Sequence, residues 1–128
     1  MDIQAWVTQG TAELGSLDPS ITILAPLGDR SYLVSLPRYE PFKKAVQTLI
    51  RNGSRVVEVA GNEQILMTIV APHTWQDQYH RGEKVCEWTL LTDPARKRVA
   101  LLVPVGRLHE TLPSLDRKGL PLDHLYDF

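Results

Sequence analysis

The chain has 128 residues, 43% hydrophobic and 23% charged, with 14 Lys+Arg against 15 Asp+Glu for a formal charge of −1. That length supports one domain, able to bury roughly two thirds of its unfolded surface without disulfides or metal. Nucleic-acid-binding modules show a basic excess that is missing here, and no apolar run approaches the ~18–20 residues of a membrane-spanning helix, so neither nucleic acid nor membrane insertion is expected.

Asp2 can cap a first predicted helix on which Ile3, Trp6, Val7 and Leu14 lie close to one face. Gly10 weakens that helix by roughly 1 kcal/mol relative to Ala, and Gly15 with Asp18-Pro19-Ser20 ends it. Residues 21–25 and 31–36 read as two short strands, with Gly28-Asp29 as the hairpin signal between them. Pro37 closes the second strand. Pro41 opens a helix at a position where its missing N–H costs nothing. That helix carries the clearest pattern in the chain: Phe42, Ala45, Val46, Leu49 and Ile50 form one apolar stripe, stopped by Asn52-Gly53. Two β-branched runs follow, 55–60 and 64–71, predicted to fold back on each other about Gly61-Asn62.

Residues 72–81 are polar and aromatic, a short helix or structured loop. Residues 85–92 and 97–103 form a further strand pair about Asp93-Pro94-Ala95-Arg96, with Asp and Pro in the first two places of a type I turn. A third helix is predicted over 106–118 with Leu108, Leu112 and Leu115, broken or kinked by Pro113. The tail 120–128 is extended, with Leu122, His124, Tyr126 and Phe128 on one side. The segment Gly119-Leu-Pro-Leu-Asp-His-Leu-Tyr-Asp-Phe128 resembles the closing strand of ACT-type ligand-binding domains over about ten residues. The preceding element order departs from that pattern, and no family is assigned.

These elements imply a single α+β domain over 1–128. Its expected form is a largely antiparallel sheet of about five to seven strands, with two or three helices packed mainly on one face. Profilin-like, PAS-like, cystatin-like and ferredoxin-like arrangements all fit. The sequence displays no internal repeat.

Chemistry-bearing residues are few. His73, Asp77 and His80 fall within about 60° of one another on a helix, with Trp75 and Tyr79 opposite, a spacing with which Zn²⁺ could be held. A solvated amphipathic turn gives the same pattern and no second half of a metal signature follows, so no metal or cofactor is assigned. A two-residue turn at Gly61-Asn62 puts Val56, Glu58, Ala60, Ile65, Met67 and Ile69 on one face. There Glu58 would be a desolvated carboxylate suited to acid–base work; a shifted register would carry it outward. Cys86 shares a strand face with Trp88 and Leu90 and reads as a buried structural thiol, since no neighbour activates it. No serine lies in a Gly-x-Ser-x-Gly elbow and no glycine-rich phosphate loop is present, so no catalytic residue is assigned. Arg96-Lys97-Arg98 makes a basic hairpin tip, a solvated feature by default.

With no secretory signal visible and a lone cysteine, the expected compartment is the cytoplasm. The leading expectation is a non-enzymatic binding or adaptor domain that self-associates through a sheet face or helix. Too few helices are predicted to cover both sides of such a sheet, which leaves Ile65, Met67 and Ile69, with Trp6, as the interface to a protein partner or second copy. The alternative is a small-molecule sensor or small enzyme with a pocket between helix 40–52 and the sheet, using Glu58, His73, Trp75, Asp77 and His80. An accessory protein (a secretion chaperone, immunity or inhibitor protein) is the third reading.

Overall fold

The computed structural model describes residues 2–76 and 83–126. Its first element is a strand, β1 (Ile3–Thr8), where a helix is predicted. Ile3, Ala5 and Val7 are buried and alternate with Gln4, Trp6 and Thr8, so the run has the period of a half-buried strand. That alternation outweighs the helical spacing of Ile3, Trp6 and Val7. Strands β2 (Thr22–Gly28) and β3 (Ser31–Leu36) follow as a hairpin. Its loop is Asp29-Arg30, one residue beyond the predicted signal, and both residues have positive φ (51° and 58°), as a type I′ turn requires.

Helix α1 (Glu40–Arg51) buries Phe42, Ala45, Val46 and Leu49, in line with the sequence pattern. Strands β4 (Val56–Val59) and β5 (Gln64–Pro72) form, but not as the predicted hairpin. β4 pairs with β1, whereas β5 pairs with β7 (Arg96–Pro104) and β8 (Leu122–Leu125). Ala60 and Gly61, both at positive φ, turn the chain out of one sheet and into the other. β6 (Glu83–Thr89) pairs with β7, and helix α2 (Leu108–Arg117) runs through Pro113, held by buried Leu108, Thr111, Leu112 and Leu115.

The result is α+β and single-domain, with two four-stranded antiparallel sheets in place of one larger sheet. Their strand orders are β2-β3-β1-β4 and β6-β7-β5-β8. Each is built by the same succession of three strands, a helix and a strand, so the second half repeats the first. The repetition extends to irregularities. β4 is bulged against β1 between Trp6 and Val7, and β8 against β5 between Thr68 and Ile69. β2 and β6 are bulged at matching places, Leu24 and Val85. Both helices end on a glycine at positive φ, Gly53 (84°) and Gly119 (69°), and the following N–H returns to Leu49 and Leu115 respectively.

One buried cluster joins the halves: Val7, Val34, Phe42 and Leu49 of the first with Met67, Ile69, Val99 and Leu108 of the second. The predicted open face is therefore closed. Ile65, Met67 and Ile69 are 1%, 0% and 0% exposed and belong to the core, not to an interface. They share one cluster with residues of the first sheet and of both helices, which supply the cover that a single sheet would lack. Among the described residues no helix is long and apolar enough to cross a membrane.

Candidate outer-face site on the first sheet

Because Ile3, Ala5 and Val7 point into the core, Trp6 projects from the opposite side of β1, half-buried. Its partner on β3 is Leu33 and its partner on β4 is Glu58. Glu58 faces outward because the bulge at Val57 lets Val56 and Val59 both be buried while Glu58 lies on the outer face. The inward reading of Glu58 is thus corrected by one extra residue in the strand. Leu27 of β2 closes the group from the far side and is 45% exposed. Asp2, Gln4, Trp6, Leu27, Leu33 and Glu58 line a depression of about 540 Å³ on this face.

Two carboxylates lie in that lining and no basic side chain does, among the described residues. Asp2 accepts a hydrogen bond from the Ser35 hydroxyl (3.0 Å). The Nε1–H of Trp6 is buried without an acceptor, a condition that ordinarily costs roughly 1–3 kcal/mol. The ring therefore sits here at some expense to stability.

The outer face of the second sheet is organised differently. Thr68, the counterpart of Trp6, donates from Oγ1 to Asp123 Oδ2 (2.8 Å). Arg98 Nε lies 2.8 Å from the same oxygen, and Nη2 donates to Oδ1 at 3.5 Å. The Arg98 guanidinium also stands over the Trp88 ring, 6.0 Å from its centre. This face thus carries its own cation between an indole and a carboxylate. Nothing in the sequence pattern alone pairs Arg98 with Asp123, because they sit on strands joined through α2.

The remaining sequence candidates do not converge. His73 is exposed beyond β5, its N–H donating to the Ala95 carbonyl (2.8 Å), while Asp77 and His80 lie outside the described residues. Trp75 is half-buried, packs on the core and shares a lining with Pro72, Thr74 and Leu120 that does not include Glu58. No group of three or more His, Cys, Asp or Glu forms among the described residues. Cys86 is exposed on edge strand β6, not buried as its strand pattern suggests, since no layer covers that edge. Between α1, α2 and β8 a crevice of about 150 Å³ is lined by Gln47, Ile50, Leu112 and Leu122, below the ~300 Å³ at which small-molecule sites begin.

Comparison of the chain with family models, with curated proteins and with solved structures returns no match.

Proposed function

We propose that this chain is a non-enzymatic binding domain that docks a segment of a partner protein on the outer face of its first sheet. One observation carries the reading. The depression sets the Trp6 ring beside Leu27 and Leu33 within a rim of Asp2, Gln4 and Glu58, on a sheet whose other face is absorbed into the core. Aromatic anchors beside apolar pockets are where protein contacts concentrate their binding energy. The crevice beside α1, at about 150 Å³, is too small to hold a small molecule between that helix and the sheet.

The outer strands favour side-chain docking over strand addition. β2 is bulged at Leu24 and carries Pro26, which cannot donate to an added strand. β6 is bulged too, and places Lys84 and Glu87 along its edge. The edges at β2 and β6 are therefore guarded, while the face between β2 and β4 is not.

Panning a random peptide library on the immobilised protein tests this, with Trp6→Ala as the counter-selected surface. Enriched peptides should bind the native protein and lose about tenfold in affinity on Trp6→Ala or Leu27→Asp. No enrichment over the counter-selected protein would sink the reading. Sedimentation that revealed a dimer abolished by Leu27→Asp would replace the partner by a second copy.

A further inference from the structure

Resting on that docking reading, we propose that the depression on the first sheet recognises an arginine side chain of the partner. Trp6 and Glu58 are direct cross-strand neighbours in the β1–β4 register, which sets their Cβ atoms about 4.5–5.5 Å apart. An indole face and a carboxylate at that spacing can be satisfied together by one planar cation. The guanidinium lies against the ring while its N–H fork addresses the carboxylate. Asp2 adds a second negative charge to the same lining, and no Lys or Arg there neutralises the pair.

The protein itself shows the arrangement filled. On the second sheet Arg98 bridges Trp88 and Asp123, with its guanidinium carbon 6.0 Å from the ring centre and its Nε 2.8 Å from the carboxylate. The two sites do not use equivalent positions. Trp88 stands on β6 and Trp6 on β1, while Asp123 is the bulge residue of β8 and Glu58 follows the bulge of β4. Their chemistry is nonetheless the same, an indole and a carboxylate on the outer face of a sheet in one fold. One sheet supplies the cation from its own β7, whereas the described residues lining the other sheet's hollow include none. Arginine fits better than lysine, because only a planar fork can stack and pair at once.

Leu27 and Leu33 give the aliphatic stem of such a side chain an apolar wall, so the stem gains burial while the head stays paired. Charge complementarity predicts a salt-sensitive association, since the carboxylates are near the surface.

The experiment uses the full chain, ¹⁵N-labelled, titrated with N-acetyl-arginine amide, N-acetyl-lysine amide and N-acetyl-norleucine amide at matched ionic strength. Arginine should give saturable shifts confined to the Trp6 indole and the amides of Gln4, Leu33 and Glu58. Lysine should bind more weakly and norleucine should give no saturable shift. Glu58→Gln, which keeps shape and removes charge, should weaken arginine about fivefold, and Glu87→Gln on the other sheet should leave it unchanged. Arginine shifts no larger than those of norleucine, or untouched by Glu58→Gln, would overturn the proposal. The two readings fail separately: peptides that enrich on Trp6 yet lack arginine leave the docking reading intact and remove this one. No enriched peptides at all removes the docking reading itself.

Discussion

The two halves of this protein share a frame and differ in what they mount on it. Their buried positions correspond in kind: Phe42 with Leu108, Val46 with Leu112, Leu49 with Leu115, and Val59 with Leu125. Their outward positions do not: Trp6 answers to Thr68, Leu33 to Ala100, and Glu58 to His124. Inward residues are tied by volume and water exclusion, whereas outward ones are free to acquire chemistry. The second sheet spends its outer face on an internal network that includes Thr68, only 1% exposed. The first leaves an open hollow. Function is therefore to be sought where the halves diverge, not where they agree.

The strongest way to break the comparison is to ask whether the halves are separate bodies. They share one buried cluster, so a cavity in the second half should weaken the first as well. Met67→Ala empties a fully buried site and should cost about 2–5 kcal/mol. Hydrogen exchange followed by mass spectrometry should show segments from β3 and β7 losing protection together. Loss confined to β5–β8 would mean that the repeat units fold independently.

Next in size is a feature of the first half alone. The link from β1 to β2 is held against the end of α1 by Asn52. Its carbonyl accepts from Thr11 N (2.8 Å), its Oδ1 accepts from Ala12 N (2.8 Å), and its Nδ2 donates to the Ala12 carbonyl (3.1 Å). Gly10 passes so close that an added Cβ would overlap the Asn52 backbone carbonyl. Gly10→Ala must displace the link and should cost about 1–3 kcal/mol; Asn52→Ala should cost about 1–2 kcal/mol through its lost hydrogen bonds. Denaturant midpoints check both. A Gly10→Ala protein as stable as the parent would show that this link is not packed as described.

How much of this was legible follows from what each element answers to. α1 was plain because its stripe, Pro41 and Gly53 all agree. The strand pairs β2–β3 and β6–β7 were legible because their connections are short. β1 misled because Ile3 and Val7 satisfy helical and alternating patterns alike, and only its neighbours on both sides decide between them. The repeat stayed hidden because equivalent strands lie 62 residues apart in β1 and β5 (Ala5, Met67) but 67 apart in β3 and β7 (Val34, Leu101). The side of Glu58 turns on one bulged residue, Val57, which no local pattern marks. The size of Trp6 marks it as an interface residue without showing its surroundings. Leu27, Leu33 and Asp2 carry no such mark, since only the pairing of β1 with β3 and of β3 with β2 gathers them.

A smaller effect sharpens the contrast between the outer faces. Asp123→Ala would leave the Thr68 hydroxyl buried without its partner and strip Arg98 of its carboxylate, a loss of about 1–3 kcal/mol. Glu58→Gln on the first sheet should stay within about 0.5 kcal/mol of the parent, as surface changes usually do. Thermal or denaturant unfolding measures both. Equal losses would mean that Glu58 is a structural residue and that the two faces are built alike.

The smallest expected effect is a pH dependence that belongs to the second half. Lys97 of β7 is buried, and its ammonium lies 3.0 Å from Glu87 on β6. The hydrogen bond from Lys97 holds the Glu87 carboxyl below its ordinary range, against partial desolvation and with help from the charges of Lys97 and Lys84. A carboxylate whose folded pKa is depressed contributes stability that is complete above its unfolded value, about 4.3. That contribution fades as pH falls through the lower folded value. The stability gap between the parent and Glu87→Gln should therefore be widest near neutral pH and close on acidification, and added salt should narrow it. Comparing the two proteins' unfolding midpoints across that range isolates the pair from every other carboxylate in the chain. Parallel curves would show that the bridge forms but does no work, which is common for ion pairs with one exposed partner. The tie between β6 and β7 would then rest on backbone pairing and on the contact of Arg98 with the Trp88 ring.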